Sequence, residues 1–224
     1  MAPRILPAAL AALALATPAA ARAQGCVGAP VPERALAVQL QAAAASYDVG
    51  PSSEGGPAAG VSLRHNVRGP LAYAAEYQLG SVGDAEGRLH SGGAVVALRA
   101  PRLPQAVAVC ARGGVLGSRF DDSPSATQLD NVTGTVGVVL EAPLSGGRVV
   151  PYVAPQYLFS RTRGDVLGLE YESSGNGFGV EAGAGIRAGR AALTLGGTFS
   201  SLPEELVTPA ASRQSLFVRV GLLF

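Results

Sequence analysis

Leu216-Phe217-Val218-Arg219-Val220-Gly221-Leu222-Leu223-Phe224 is the stretch on which the fold turns. Leu216, Val218, Val220 and Leu222 share one side of an extended chain, and Phe217, Arg219, Gly221 and Leu223 share the other. Successive side chains of a strand point to opposite faces, so this stretch asks for an apolar environment on one side and a partly polar one on the other. An aromatic residue closes it.

The same period runs outward through the chain. Leu71, Tyr73, Ala75, Tyr77 and Leu79 oppose Ala72, Ala74, Glu76 and Gln78. Val132, Gly134, Val136, Val138 and Leu140 oppose Thr133, Thr135, Gly137, Val139 and Glu141. Phe178 to Ile186 and Leu193 to Phe199 repeat the pattern, with Gly179, Glu181, Gly183, Gly185, Thr194 and Thr198 on the small or polar side. Turn-forming clusters separate these segments: tight ones at 68–70, 101–104, 143–147 and 188–190, longer ones at 50–57, 83–91, 121–131, 164–175 and 201–212. Long and short alternate strictly. That is the expectation for an all-β, antiparallel up-and-down transmembrane barrel of about ten strands, or about eight if a pair of segments merges.

Composition supports strands over helices. Hydrophobic residues make up 48% of the chain, while 30 Gly and 16 Pro are scattered along it. After the first residues no apolar run reaches the roughly 20 residues of a membrane helix. Arg4, the apolar run Ile5 to Ala16 and the small-x-small triplet Ala21-Arg22-Ala23 have the form of a cleaved export signal. We therefore expect residues 1–23 to be removed, 24–34 to form an N-terminal periplasmic segment, and 35–224 to form the barrel. A lipidated Cys26 is the alternative, although Ala23-Gln24-Gly25 lacks the usual Leu before such a cysteine.

A soluble barrel has the same alternation with its apolar side turned inward. The export signal, the Gly-rich polar set and the closing strand favour the membrane. That strand, with Val218, Val220, Gly221, Leu222 and Phe224, resembles the C-terminal signature of bacterial outer-membrane β-barrel proteins. The mature chain is similar in pattern to the small porin-like and opacity-type barrels. The resemblance implies a bacterial outer-membrane address, both termini in the periplasm, insertion by the barrel assembly machinery, and contact with membrane lipid and lipopolysaccharide. Aromatics are only 5% and Trp is absent, so the interfacial girdles are thin. Tyr47, Phe120, Tyr157, Phe159 and Phe199 are expected near the outer strand ends, and Tyr152 and Phe224 near the inner ends.

Most acidic residues fall in the longer connections, whereas Arg34, Arg68, Arg102, Arg148, Arg187 and Arg190 fall at the opposite ends. The charges left on strands, Arg64, Glu76, Arg99, Arg112, Glu141, Glu181 and Arg219, sit on the inward side. They are read as a packed lumen of paired charges, since small barrels leave little interior space. The alternative is a water-filled path for small solutes, lined by Arg64, Arg99, Arg112 and Arg219 and selective for small anions. Cys26 and Cys110 are expected to pair in an oxidising compartment, folding residues 25–34 against the barrel mouth.

Other chemistries find little support. No basic block offers a footprint for nucleic acid. Gly183-x-Gly185 with Gly189 lacks the helix a dinucleotide loop needs, so no cofactor is implied. No Cys/His cluster suggests zinc, and the acidic pair Asp121-Asp122 with Asp130 reads as a solvated loop. His65 falls on the apolar side of its strand, and His90 in an outer loop lacks a positioned partner for an outer-rim enzyme. The expected function is a non-enzymatic surface protein whose outer loops serve envelope structure or contact, with a narrow channel as the alternative.

Overall fold

A computed structural model describes residues 26–28, 30–49, 52–67, 69–81, 88–100, 107–122, 127–166, 168–202 and 211–224. Segment 1–23, Arg68, Asp84, Glu86, Arg102, Glu204 and Glu205 lie outside the described residues, as do the side chains of Tyr47, Asp48, Glu54 and Asp122.

Alternation becomes strand because a polar and an apolar environment lie on either side of one wall. The strands are β1 (Leu36–Val49), β2 (Ser52–Asn66), β3 (Leu71–Ser81), β4 (Arg88–Arg99), β5 (Ala108–Asp122), β6 (Thr127–Glu141), β7 (Val149–Val166), β8 (Leu169–Ala188), β9 (Ala191–Leu202) and β10 (Ala211–Leu223). Each pairs antiparallel with its neighbours in sequence, and β10 pairs with β1 to close the barrel. Closure removes the exposed edges an open sheet would leave. The register is staggered: a row of paired residues leaving β7 at Thr162 passes Gln41 and Arg219 and returns to β7 at Val150. That stagger is the tilt a closed barrel needs.

The outward face is apolar. Tyr73, Tyr77, Val132, Val136, Phe159, Phe178, Leu195, Phe199, Val220 and Leu222 are all exposed on it. Tyr157 packs edge-on against Phe159 and Phe178, with ring centroids 4.8 and 5.0 Å apart, in one outward aromatic cluster. A continuous apolar exterior of this kind is a lipid-facing surface, not a water-facing one. Val136 stands on it at 53% exposure. Val136→Arg is therefore expected to destabilise the folded barrel in lipid by about 2–4 kcal/mol, read from urea unfolding in liposomes.

The connections depart from expectation. Only residues 50–51 separate β1 from β2 and only 167–168 separate β7 from β8, whereas 100–107 and 142–148 at the other end are as long as most. Segments such as 52–57, rich in Ser and Gly, are strand because ladders on the adjacent chain recruit them, overriding their local turn preference. The contrast read as loop length is a contrast in strand extension. β7 and β8 run 18 and 20 residues, well past the 9–11 or so a tilted strand needs to cross a bilayer. Among the described residues the rim opposite the termini is made of strand ends, and we call it the far rim.

Among the described side chains the far rim carries both signs of charge. Arg119 pairs with Asp121 at 3.1 Å, while Arg161 and Arg163 both reach Glu172 across the β7–β8 hairpin. The hydrogen bond from Arg161 holds the Glu172 carboxyl below the usual carboxylate range.

The ladder between β6 and β7 has one gap. Pairing runs through Gly137–Gln156 and resumes at Leu140–Val153, and Pro155 lies in the interruption. Proline has no N–H to donate, so this break is what its ring imposes.

Candidate functional site

The terminus-side half of the lumen is filled by the chain's own N-terminal segment. Cys26, Val27, Gly28, Pro30 and Val31 are buried inside the barrel, and Cys26 is bonded to Cys110 on the inner face of β5, with Cα atoms 5.9 Å apart. The segment penetrates the barrel instead of resting against its mouth. Gly28 takes φ +66°, and a side chain there would meet the Tyr152 ring at 2.9 Å. Gly185 leaves the space that the Pro30 ring fills. The Gly28 N–H donates to Glu141 at 3.2 Å, and the Asn66 amide donates to the Val31 carbonyl at 3.3 Å. Val31 packs with Ala37, Ala192 and Leu223. These contacts make a plug whose polar groups are held by the wall.

A girdle of charge lies above the plug. Glu181 accepts from Arg112 at 2.8 Å and from the Tyr152 hydroxyl at 3.0 Å, and Arg219 stands 3.5 Å away. Arg219 also donates to Gln41 at 2.7 Å, reaches Glu76 at 3.4 Å, and lies 3.9 Å over the Phe217 ring. Arg64 joins the same floor, 4% exposed.

Beyond the girdle the lumen is hollow. A cavity of about 380 Å³ runs from Val27 and the girdle up to Ser118, Ser160 and Arg213 near the far rim. The lumen is therefore packed in one half and open in the other, not packed throughout.

Five of the seven charges expected in the lumen, Arg64, Glu76, Arg112, Glu181 and Arg219, meet around this cavity. Arg99 and Glu141 do not line it. Glu141 is buried beside the plug, and Arg99 ends β4 opposite Cys110. Tyr152 is not the interfacial aromatic expected: it faces inward and completes the Glu181 cluster. Pro151 and Pro155 flank it, and apolar residues occupy both sides of that strand, so no period in the sequence betrays its direction. Val218, Val220, Leu222 and Phe224 point outward, and Gly221 lies close against the β1 backbone.

His65 packs outward on Tyr73 and its Nδ1 is 3.0 Å from the Ala35 carbonyl. His90 lies on β4, not in a loop, with its Nδ1 3.0 Å from the Tyr77 hydroxyl.

An apolar exterior around a polar, half-plugged interior defines a small transmembrane β-barrel. No protein-family model and no curated protein sequence matches the chain. Among solved structures it is similar to Neisserial surface protein A, at 15% identity and TM-score 0.47, covering 85% of this chain and 99% of that one. It is also similar to the translocator domain of the autotransporter NalP from Neisseria meningitidis, at 12% identity and TM-score 0.48, covering 85% and 88%. The beta domain of the Bordetella autotransporter BrkA gives 11% identity and TM-score 0.43, covering 84% and 98%.

Proposed function

We propose that this chain is a non-enzymatic protein of the bacterial outer membrane, a barrel closed on the periplasmic side that presents its far rim to the outside. In this reading the signal is cleaved after Ala23, residues 24–34 are the mature N-terminal segment, and both termini face the periplasm. The extended strand ends around the far rim then stand among lipopolysaccharide headgroups and serve envelope structure or surface contact. Val218, Val220, Gly221, Leu222 and Phe224 serve as the signal read by the assembly machinery.

The observation that carries the closed state is the disulfide-tied plug, with Cys26, Val27, Gly28, Pro30 and Val31 buried within the barrel wall. Single-channel recording of refolded protein in a planar bilayer tests it. We expect silence in the oxidised protein and openings after reduction, when the plug loses its covalent tie. Steady openings in the oxidised protein would instead establish a passive channel for small solutes. The cavity that already reaches down to Val27 favours that second reading, because the plug is the only layer between it and the terminus side among the described residues.

A further inference from the structure

We propose that the hollow half of the lumen is a binding well for a monosaccharide-sized polyol carrying one carboxylate or phosphate, with its anionic group seated on Arg64.

The charge of the floor calls for an anion. Arg64, Arg112 and Arg219 face Glu76 and Glu181, and both carboxylates are engaged by Arg112 and Arg219. Arg64 is buried and lines the cavity, yet among the described residues no carboxylate lies within ion-pair distance of it and its Nε has no hydrogen-bond partner. Adding the two lumen charges beside the plug, Arg99 and Glu141, keeps one positive charge in excess. A buried guanidinium whose neighbouring carboxylates are taken up by other arginines is only partly compensated, and a carboxylate or phosphate is the group its fork of donors fits.

The walls describe the rest of the ligand. On β1 to β3, above the girdle, they are mostly small and apolar, with Ala43, Ala45, Ala58 and Ala74 facing the cavity beside the amide of Gln78. Across from them, β6 to β10 present hydroxyls: Thr133, Thr135, Ser160, Thr198 and Ser215. Thr133 bonds Ser160 and Thr198 bonds Ser215, so these groups hold fixed directions while each hydroxyl keeps further bonding capacity. A ring with a C–H face and a hydroxyl edge suits two such walls. The volume of about 380 Å³ falls within the range of small-molecule sites. No second charged group meets the upper wall below Arg213, which favours a single anionic group on an uncharged body.

This inference does not depend on whether the barrel conducts after reduction, because the well lies above the plug. Calorimetric titration of oxidised, full-length protein in detergent micelles tests it with four probes: glucuronate, glucose 6-phosphate, glucose and inorganic phosphate. Glucuronate and glucose 6-phosphate are expected to bind, glucose not at all, and inorganic phosphate about tenfold or more weaker than either. Arg64→Gln should weaken glucuronate at least about tenfold. Ala58→Phe, which fills the well without touching a charge, should abolish binding even if Arg64→Gln fails to fold. Absence of binding by both sugar anions, equal binding of inorganic phosphate, or binding untouched by Ala58→Phe would each overturn the proposal.

Discussion

Glu181→Gln is expected to lower the stability of the folded barrel by about 3–5 kcal/mol, the loss typical when one partner of a buried ionic cluster is removed. Glu181 is the hub of the girdle, with Arg112 at 2.8 Å, Tyr152 at 3.0 Å and Arg219 at 3.5 Å. Glutamine keeps an oxygen for the tyrosine hydroxyl but removes the charge that faces two guanidinium groups. Three arginines would then share the single carboxylate of Glu76, which sits 3.4 Å from Arg219 only. The side chains of Arg112 and Glu181 are 17% and 7% exposed, so solvent screens little of the imbalance.

Urea titration of protein refolded into liposomes measures the loss. A double change, Glu181→Gln with Arg112→Met, distinguishes charge from packing. If unpaired charge is the cause, removing one arginine restores at least half of what the single change lost. A single-variant loss below about 1 kcal/mol would mean that water entering the cavity from the far rim supplies what the carboxylate did.

Where one side of a segment met lipid and the other met the lumen, the residues announced it. The outward sets of β3, β6, β8, β9 and β10 are the ones their alternation prescribes, and the inward charges follow from the same period. Two kinds of information were not local. Strand ends beyond the bilayer depend on pairing partners, so Ser52 to Pro57 looked like a connection until β1 lay beside it. Depth along the tilted barrel depends on the stagger of all ten strands together. For that reason Arg99 and Glu141 could be assigned to the inner face but not separated from the five charges that meet above the plug. The plug itself had one local trace, the pair Cys26 and Cys110. Its depth is set by residues far apart in sequence, Gly185 making room for Pro30 and Asn66 catching the Val31 carbonyl.

That dispersal makes the disulfide the second place where a large effect is expected. Cys26 and Cys110 are 84 residues apart, and the entropy of closing a loop of that length in the unfolded chain corresponds to about 4.5 kcal/mol. Cys26→Ser with Cys110→Ser is expected to lower stability by as much as that, read as a shift of the urea midpoint against oxidised wild type. Reduced wild type should behave like the double variant, since both lack the covalent tie and keep the same barrel. The barrel wall should survive in either, because none of the ladders from β1 to β10 runs through the bridge. The plug has a different dependence. Once untied it is held by Val31 against Ala37, Ala192 and Leu223, by the Gly28 bond to Glu141 and by Asn66, contacts that involve few residues. Barrel stability and plug occupancy should therefore separate: a cysteine-free barrel that remains folded but admits ions from the terminus side. If the double variant instead loses less than about 1 kcal/mol and stays silent in a bilayer, the segment is seated by packing alone and the bridge contributes nothing to closure.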